Sequence, residues 1–179
     1  MKLSSQILFI ALSGLIVLSG FTKLNFEKFE DKWNGTVSFI QSVTGPDIII
    51  SEWKMEGSFN NGVGTVTHSA KYQYKDGVGE IKRDCSNTSD SKVEITVDES
   101  GKTYTVMVLG VLDCTGTAIE YGEKKNFRMP GGDTAIWISD QPLGQNRNAL
   151  SGTLTFKNGP AGRGNIQTLI YKWSLVKAP

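Results

Sequence analysis

An all-β chain is expected, a meander of about nine or ten antiparallel strands. Two observations carry this. Past residue 33 apolar and polar side chains alternate with period two, and tight-turn dipeptides recur between the alternating runs. One apolar and one wet face per strand is the pattern of antiparallel sheet with a single buried side. The meander is read as closed into a barrel, with two packed sheets, a β-sandwich, as the alternative.

The runs follow in order. In "VSFIQ", Val37 and Phe39 share a face against Ser38; in "IIISEWKMEGSF", Ile49, Trp53, Met55 and Phe59 oppose Glu52, Lys54 and Glu56. "VTHSAKYQY" sets Val66, His68, Ala70, Tyr72 and Tyr74 against Thr67, Ser69, Lys71 and Gln73. "KVEITVDE" turns Val93, Ile95 and Val97 inward, and "LIYKWSL" does so with Leu169, Tyr171, Trp173 and Leu175. Asn61-Gly62, Asp76-Gly77, Asn158-Gly159 and Ser100-Gly101 supply the positive φ that hairpin turns need.

Two segments echo each other. "GTVSFIQSVTGPDIIISEWKM" (35–55) and "GTLTFKNGPAGRGNIQTLIYKWSL" (152–175) each read as a hairpin with an inward Phe, Phe39 or Phe156, then an inward Trp, Trp53 or Trp173. Similar packing where first and last strands meet accounts for the echo, and a duplication is the alternative. "YGEKKNFRMPGGD" (121–133) and "DQPLGQNRNA" (140–149) break the rhythm and read as long polar loops around the short strand "TAIWIS". Loops on a rigid scaffold are where binding residues gather.

The N-terminus differs in kind. Met1-Lys2 precedes a 15-residue, mostly apolar run, Ile7–Phe21. That is short for a membrane-spanning helix and suits a secretory signal cut near Ser19-Gly20. Residues 1–20 are therefore read as a signal peptide and 21–179 as one β domain, secreted or periplasmic; an uncleaved N-terminal anchor is the alternative. Phe21 stands where a lipoprotein signal needs cysteine. "KLNFEKFEDKW" (23–33), with Phe26, Phe29 and Trp33 at helical spacing, suggests a short helical turn.

Lys2 is the only charged residue among 1–20, so the remainder balances 18 Lys and Arg against 18 Asp and Glu. No basic tract invites nucleic acid or anionic lipid. Cys85 and Cys114 are the only cysteines, and in an oxidising compartment they are expected to form one disulfide.

"NFEKFEDKW" (Asn25–Trp33) resembles the N-terminal signature of lipocalins, an Asn-Phe-acidic start leading to an aromatic residue and then Gly-x-Trp. Phe29 and Trp33 keep the step from aromatic to Trp; Asp31 stands where the family has Gly, and the spacing from Asn25 is shorter. The family's downstream Thr-Asp-Tyr motif is not evident. The resemblance implies an up-and-down barrel with a small apolar ligand in its mouth.

Catalytic devices are sparse. His68 is the sole histidine and lies on the apolar side of its strand, so a metal site lacks ligands and no metal or cofactor is expected. No Gly-x-Ser-x-Gly elbow occurs. Glu52 and Glu56 sit about 13 Å apart along a strand, beyond the reach of paired glycosidase carboxylates. Arg83 shares a side with Ile81 and Cys85; a cation turned inward needs a partner, and a ligand carboxylate is one, while a twist or a bulge near Cys85 that turns Arg83 to water is the alternative.

These features favour a non-enzymatic binding protein holding a small amphipathic or apolar ligand, or a glycan. Arg83 and His68 would meet its polar end, and Tyr72, Tyr74, Trp53 and Trp173 the rest. One alternative is an envelope or extracellular interaction protein acting through Phe127, Met129 and Trp137 of the 121–149 loops. A hydrolase built around His68 is the other.

Overall fold

A computed structural model describes residues 27–28, 32–75, 77–129, 131–158 and 164–179. The expected signal segment 1–20 lies outside them. Every regular element described is a strand. In chain order they are β1 (Glu27–Lys28), β2 (Trp33–Thr44), β3 (Ile48–Asn60), β4 (Val63–Lys75), β5 (Glu80–Val97), β6 (Thr103–Val111), β7 (Cys114–Glu120), β8 (Glu123–Met129), β9 (Asp133–Pro142), β10 (Ala149–Asn158) and β11 (Ile166–Lys177).

All ladders are antiparallel, and the main path runs β10-β11-β2-β3-β4-β5-β6-β9. The turn chemistry works as expected at Asn61-Gly62, where φ values of 54° and 79° make the two-residue link between β3 and β4. Gly101 has φ 66° after Ser100, and Asp98 ties that turn by accepting from the backbone N–H groups of Lys102 and Thr103. The β2 and β11 ladder, from Trp33 opposite Lys177 to Thr44 opposite Ile166, brings the two echoed hairpins side by side.

Three expectations change. The ends of the path, β9 and β10, share no ladder, so the sheet is open and the barrel does not close. The N-terminal helical turn is replaced by strand wherever this stretch is described: Glu27 and Lys28 pair with Val97 and Thr96, and Trp33 opens β2. Phe26 and Phe29 lie outside the described residues. The stretch 121–133, expected as a loop, is mostly strand: Tyr121-Gly122, both at positive φ, turns β7 into β8. Lys124 and Lys125 hid that hairpin, because a two-sided polar strand shows no alternation.

β5 organises the rest. Its first half lies between β4 and β7, and its last residues pair with β6 and β1. Between those regions β6 leaves the backbone ladder. Asn87, Ser89 and Ser91, on one face of the strand, bond its edge instead: Asn87 Nδ2 donates to Val111 O (2.7 Å), Val111 N–H donates to Ser89 Oγ (3.2 Å), and the Ser91 hydroxyl donates to Leu109 O. Side chains thus satisfy backbone groups where the sheet bends. The Cys85–Cys114 disulfide (S–S 2.01 Å) ties the same place, both sulfurs buried.

The bend folds β6, β9 and the end of β5 over β10, β11, β2, β3 and β4. The dry core lies between, with Trp33, Val37, Met55, Val66, Trp173 and Leu175 facing Ile95, Val106, Val108, Ile136 and Ile138. Trp173 Nε1 donates to the Tyr104 hydroxyl across it (2.8 Å). Gly152, opposite Trp173, leaves the indole its space: a Cβ there would lie 2.3 Å from the ring. Phe156, the second echoed Phe, is 48% exposed rather than in the core, and Ile49 is likewise exposed beside a register shift between Ile48 and Ile50.

Candidate binding face

β6 and β9 cover only part of the inner face. Beyond their reach the register sets one residue after another on the same side, since directly opposed residues in a ladder share a face. Leu154 of β10 opposes Tyr171, Tyr171 opposes Phe39 of β2, and Phe39 is followed on β3 by Trp53. Ala70 opposes Trp53, with Tyr72 and Tyr74 further along β4; Tyr72 opposes Arg83, and Arg83 opposes Ala118 of β7. An aromatic strip therefore crosses the sheet and ends at a charged pair.

The rings touch one another, Phe39 with Trp53 and Phe156 with Tyr171 edge to face, and Phe39 with Tyr171 tilted. Phe39 lies 5.4 Å from Trp53 and 4.9 Å from Tyr171, and Phe156 lies 6.0 Å from Tyr171. Tyr72 and Tyr74 are parallel at 6.5 Å. Trp53, Tyr72, Tyr74 and Tyr171 are half-buried, so each keeps a wet edge. The Trp53 Nε1–H is buried without an acceptor. Burial raises the Tyr72 and Tyr171 hydroxyl pKa values, and Arg83 partly offsets this for Tyr72.

Arg83 has its inward partner. Its Nη2 and Nε donate to Glu120 Oε1 at 2.7 and 3.2 Å, and its guanidinium stands 5.4 Å over the Phe127 ring. Arg83 holds the Glu120 carboxyl below its usual range. Glu120 escaped the sequence reading because its partnership needs the β5–β7 register, which no local pattern reveals.

His68 is not part of this strip. It opposes Asn87, four residues along β5 from Arg83, which is about 13 Å of strand. The ring is 0% exposed, and its Nε2 lies 2.8 Å from Thr134 Oγ1. Thr134 donates its only hydrogen to Gly110 O (3.0 Å), so it accepts from His68, which fixes the proton on Nε2. Nδ1 is buried with no partner, and burial lowers the pKa. Gly110 makes room: a Cβ there would stand 2.9 Å from His68 Cε1. The solvent-open cluster that a His68 hydrolase requires is not formed around this ring.

Of the remaining candidates, Trp173 lies in the core, while Phe127 and Met129 share β8 and Trp137 sits on β9. Phe127 lies beneath Arg83, Met129 opposes Cys114, and Trp137 is 57% exposed on the outer face of β9. Trp137 opposes Met107 rather than either of the other two. Two depressions, of about 460 and 260 Å³, lie in the β4–β5–β7–β8 region around Thr117, and Tyr72 and Arg83 also border the smaller one. No protein-family model matches the chain, and neither a curated protein nor a solved structure is found to be similar.

Proposed function

We propose that the chain is an exported, non-enzymatic binding protein that holds a small amphipathic ligand, or a glycan, against the aromatic strip of its open sheet face. The observation that carries this reading is the run of half-buried rings Tyr171, Trp53 and Tyr72, with the buried Phe39 packed between the first two. Large rings left partly wet on a rigid sheet offer apolar area together with polar tips. Tyr72 and the Arg83–Glu120 pair give the strip a polar end, suited to a headgroup or a sugar hydroxyl. Recognition therefore takes place along a face and not in a barrel mouth.

The test is native mass spectrometry of the exported protein, with a co-purifying small molecule expected. Titration with oleate and with a soluble β-glucan, read by tryptophan fluorescence, extends it; Trp53→Ala removes the response. A bare protein mass and no response to either probe overturn the reading.

A second reading, a partner-protein surface, draws on the outer face of β6 and β9. Trp137 there lies beside Met107, and Leu109 and Val111 are also exposed. Clustered exposed apolar side chains mark partner surfaces. Trp137→Ser would abolish such an interaction and leave ligand binding on the inner face intact.

A further inference from the structure

Among the described strands four have a single ladder partner: the two-residue β1 and the longer β8, β9 and β10, whose free edges end the sheet. A free edge offers unpaired backbone N–H and C=O groups to any other strand, and proteins defend against this with charge, proline, bulges or twist. β8 is defended by Glu123, Lys124, Lys125 and Arg128, all exposed. β9 has a register shift against β6 between Tyr104 and Val106, a left-handed Asp140 (φ 55°) and Pro142 at its end. β10 carries only Lys157, one residue from its end. Its stretch Ala149–Phe156 contains no charge and no proline, and all 10 residues of the strand pair with β11 without a shift.

We propose that the β10 edge is an interface, occupied by β10 of a second copy of this chain in antiparallel register. Self-pairing follows from the sequence of the edge. A two-fold axis perpendicular to the sheet keeps the inner faces of both copies on one side, so inner residues meet inner residues. With the axis at Thr153, that residue meets its own copy, and Thr155 meets the partner's Ser151. On the inner face Leu154 meets the partner's Gly152, and Phe156 meets the partner's Leu150. Hydroxyl pairs line one side and apolar pairs the other, both favourable across strands. Lys157 falls opposite the partner's Ala149, so no like charges meet. The same operation on β8 sets Lys124 against the partner's Arg128, a repulsive pair. Phe156, 48% exposed on the single chain, gains cover in the pair. The aromatic strips of the two copies then run into each other through Leu154 and Phe156.

Sedimentation equilibrium tests this at high micromolar concentration, and twice the chain mass is expected. Thr153→Lys brings two ammonium groups together on the axis and weakens association at least about tenfold. Thr153 is exposed, so circular dichroism stays unchanged. Asn126→Lys on β8 leaves the dimer intact. Thr153→Cys reads the register: under a mild copper oxidant it yields a disulfide-linked dimer, whereas Asn126→Cys does not. A monomeric wild-type chain overturns the proposal, as does a dimer unaffected by Thr153→Lys. A monomer that pairs this edge with a different protein overturns the second-copy assignment.

Discussion

One sheet face carries two different surfaces. Under β6 and β9 it presents Val37, Met55, Val66, Trp173 and Leu175, each buried and met from above by Ile136, Ile138 and Val106. A few residues further along the same face it presents Tyr171, Trp53 and Tyr72, and then Arg83 with Glu120. The alternation is identical in both halves. What differs is chemistry: mainly aliphatic side chains where a second layer closes the space, rings with polar tips where none does. Period two assigns a side chain to a face but does not say whether that face is covered; residue type carries that information.

The contrast can be broken first at its dry end. Trp173→Ala removes a buried indole and its bond to Tyr104, and is expected to cost about 3–5 kcal/mol in urea denaturation. Tyr72→Ala, on the open half, is expected to cost about 1 kcal/mol. Equal losses would erase the distinction between the halves. Cutting the tie at the bend comes next. Cys85→Ser with Cys114→Ser reopens a loop with a sequence separation of 29, and the chain-entropy account gives a loss of about 3–4 kcal/mol, read by the same measurement.

Acid sharpens the comparison. His68 belongs to the covered half, and its folded pKa lies below the ordinary 6.5. Above 6.5 both states are neutral there and its contribution is complete. As pH falls below 6.5 the unfolded chain takes up a proton that the buried ring refuses, and stability declines toward the lowered folded value. The slope is at most about 1.4 kcal/mol per pH unit for one proton. Urea midpoints between pH 8 and 5 are expected to lose this component in His68→Gln. The smallest effect falls on the open half. Glu120→Gln weakens a pair whose side chains keep 23% and 26% exposure, and is expected to cost no more than about 1 kcal/mol at neutral pH. Since the folded Glu120 pKa lies below 4.5, the wild type keeps this contribution above that pH and loses it as pH falls through the folded value.

The strands were legible where one side is wet and the other dry. Val66 and His68, Val93 to Val97, and Trp173 with Leu175 face inward as the alternation requires. The Asn61-Gly62 turn and the Cys85–Cys114 bond follow from residue type alone. β7 and β8 were not legible, since "EKKNFRM" has no dry side and the left-handed Tyr121 of their turn is an uncommon choice. The partner exchange along β5 lay beyond reach too. Its signal is the polar run Cys85–Ser91, which reads as a loop until Asn87, Ser89 and Ser91 are seen bonding the edge of β6. Of the candidate site, Trp53, Tyr72, Tyr74 and Arg83 came from the sequence. Their separation from His68 and the presence of Glu120 came only from register.

The pairing of β2 with β11 has a temporal side. The ribosome makes β11 after every other strand described here, yet its Trp173 and Leu175 complete the interior, and its ladder is the one that shields β2 from solvent. Until then β2 waits with one flank bare, and the nascent polypeptide has no finished centre to collapse around. Closing so distant a pairing is also slow, because the loop entropy is spent before the contact rewards it.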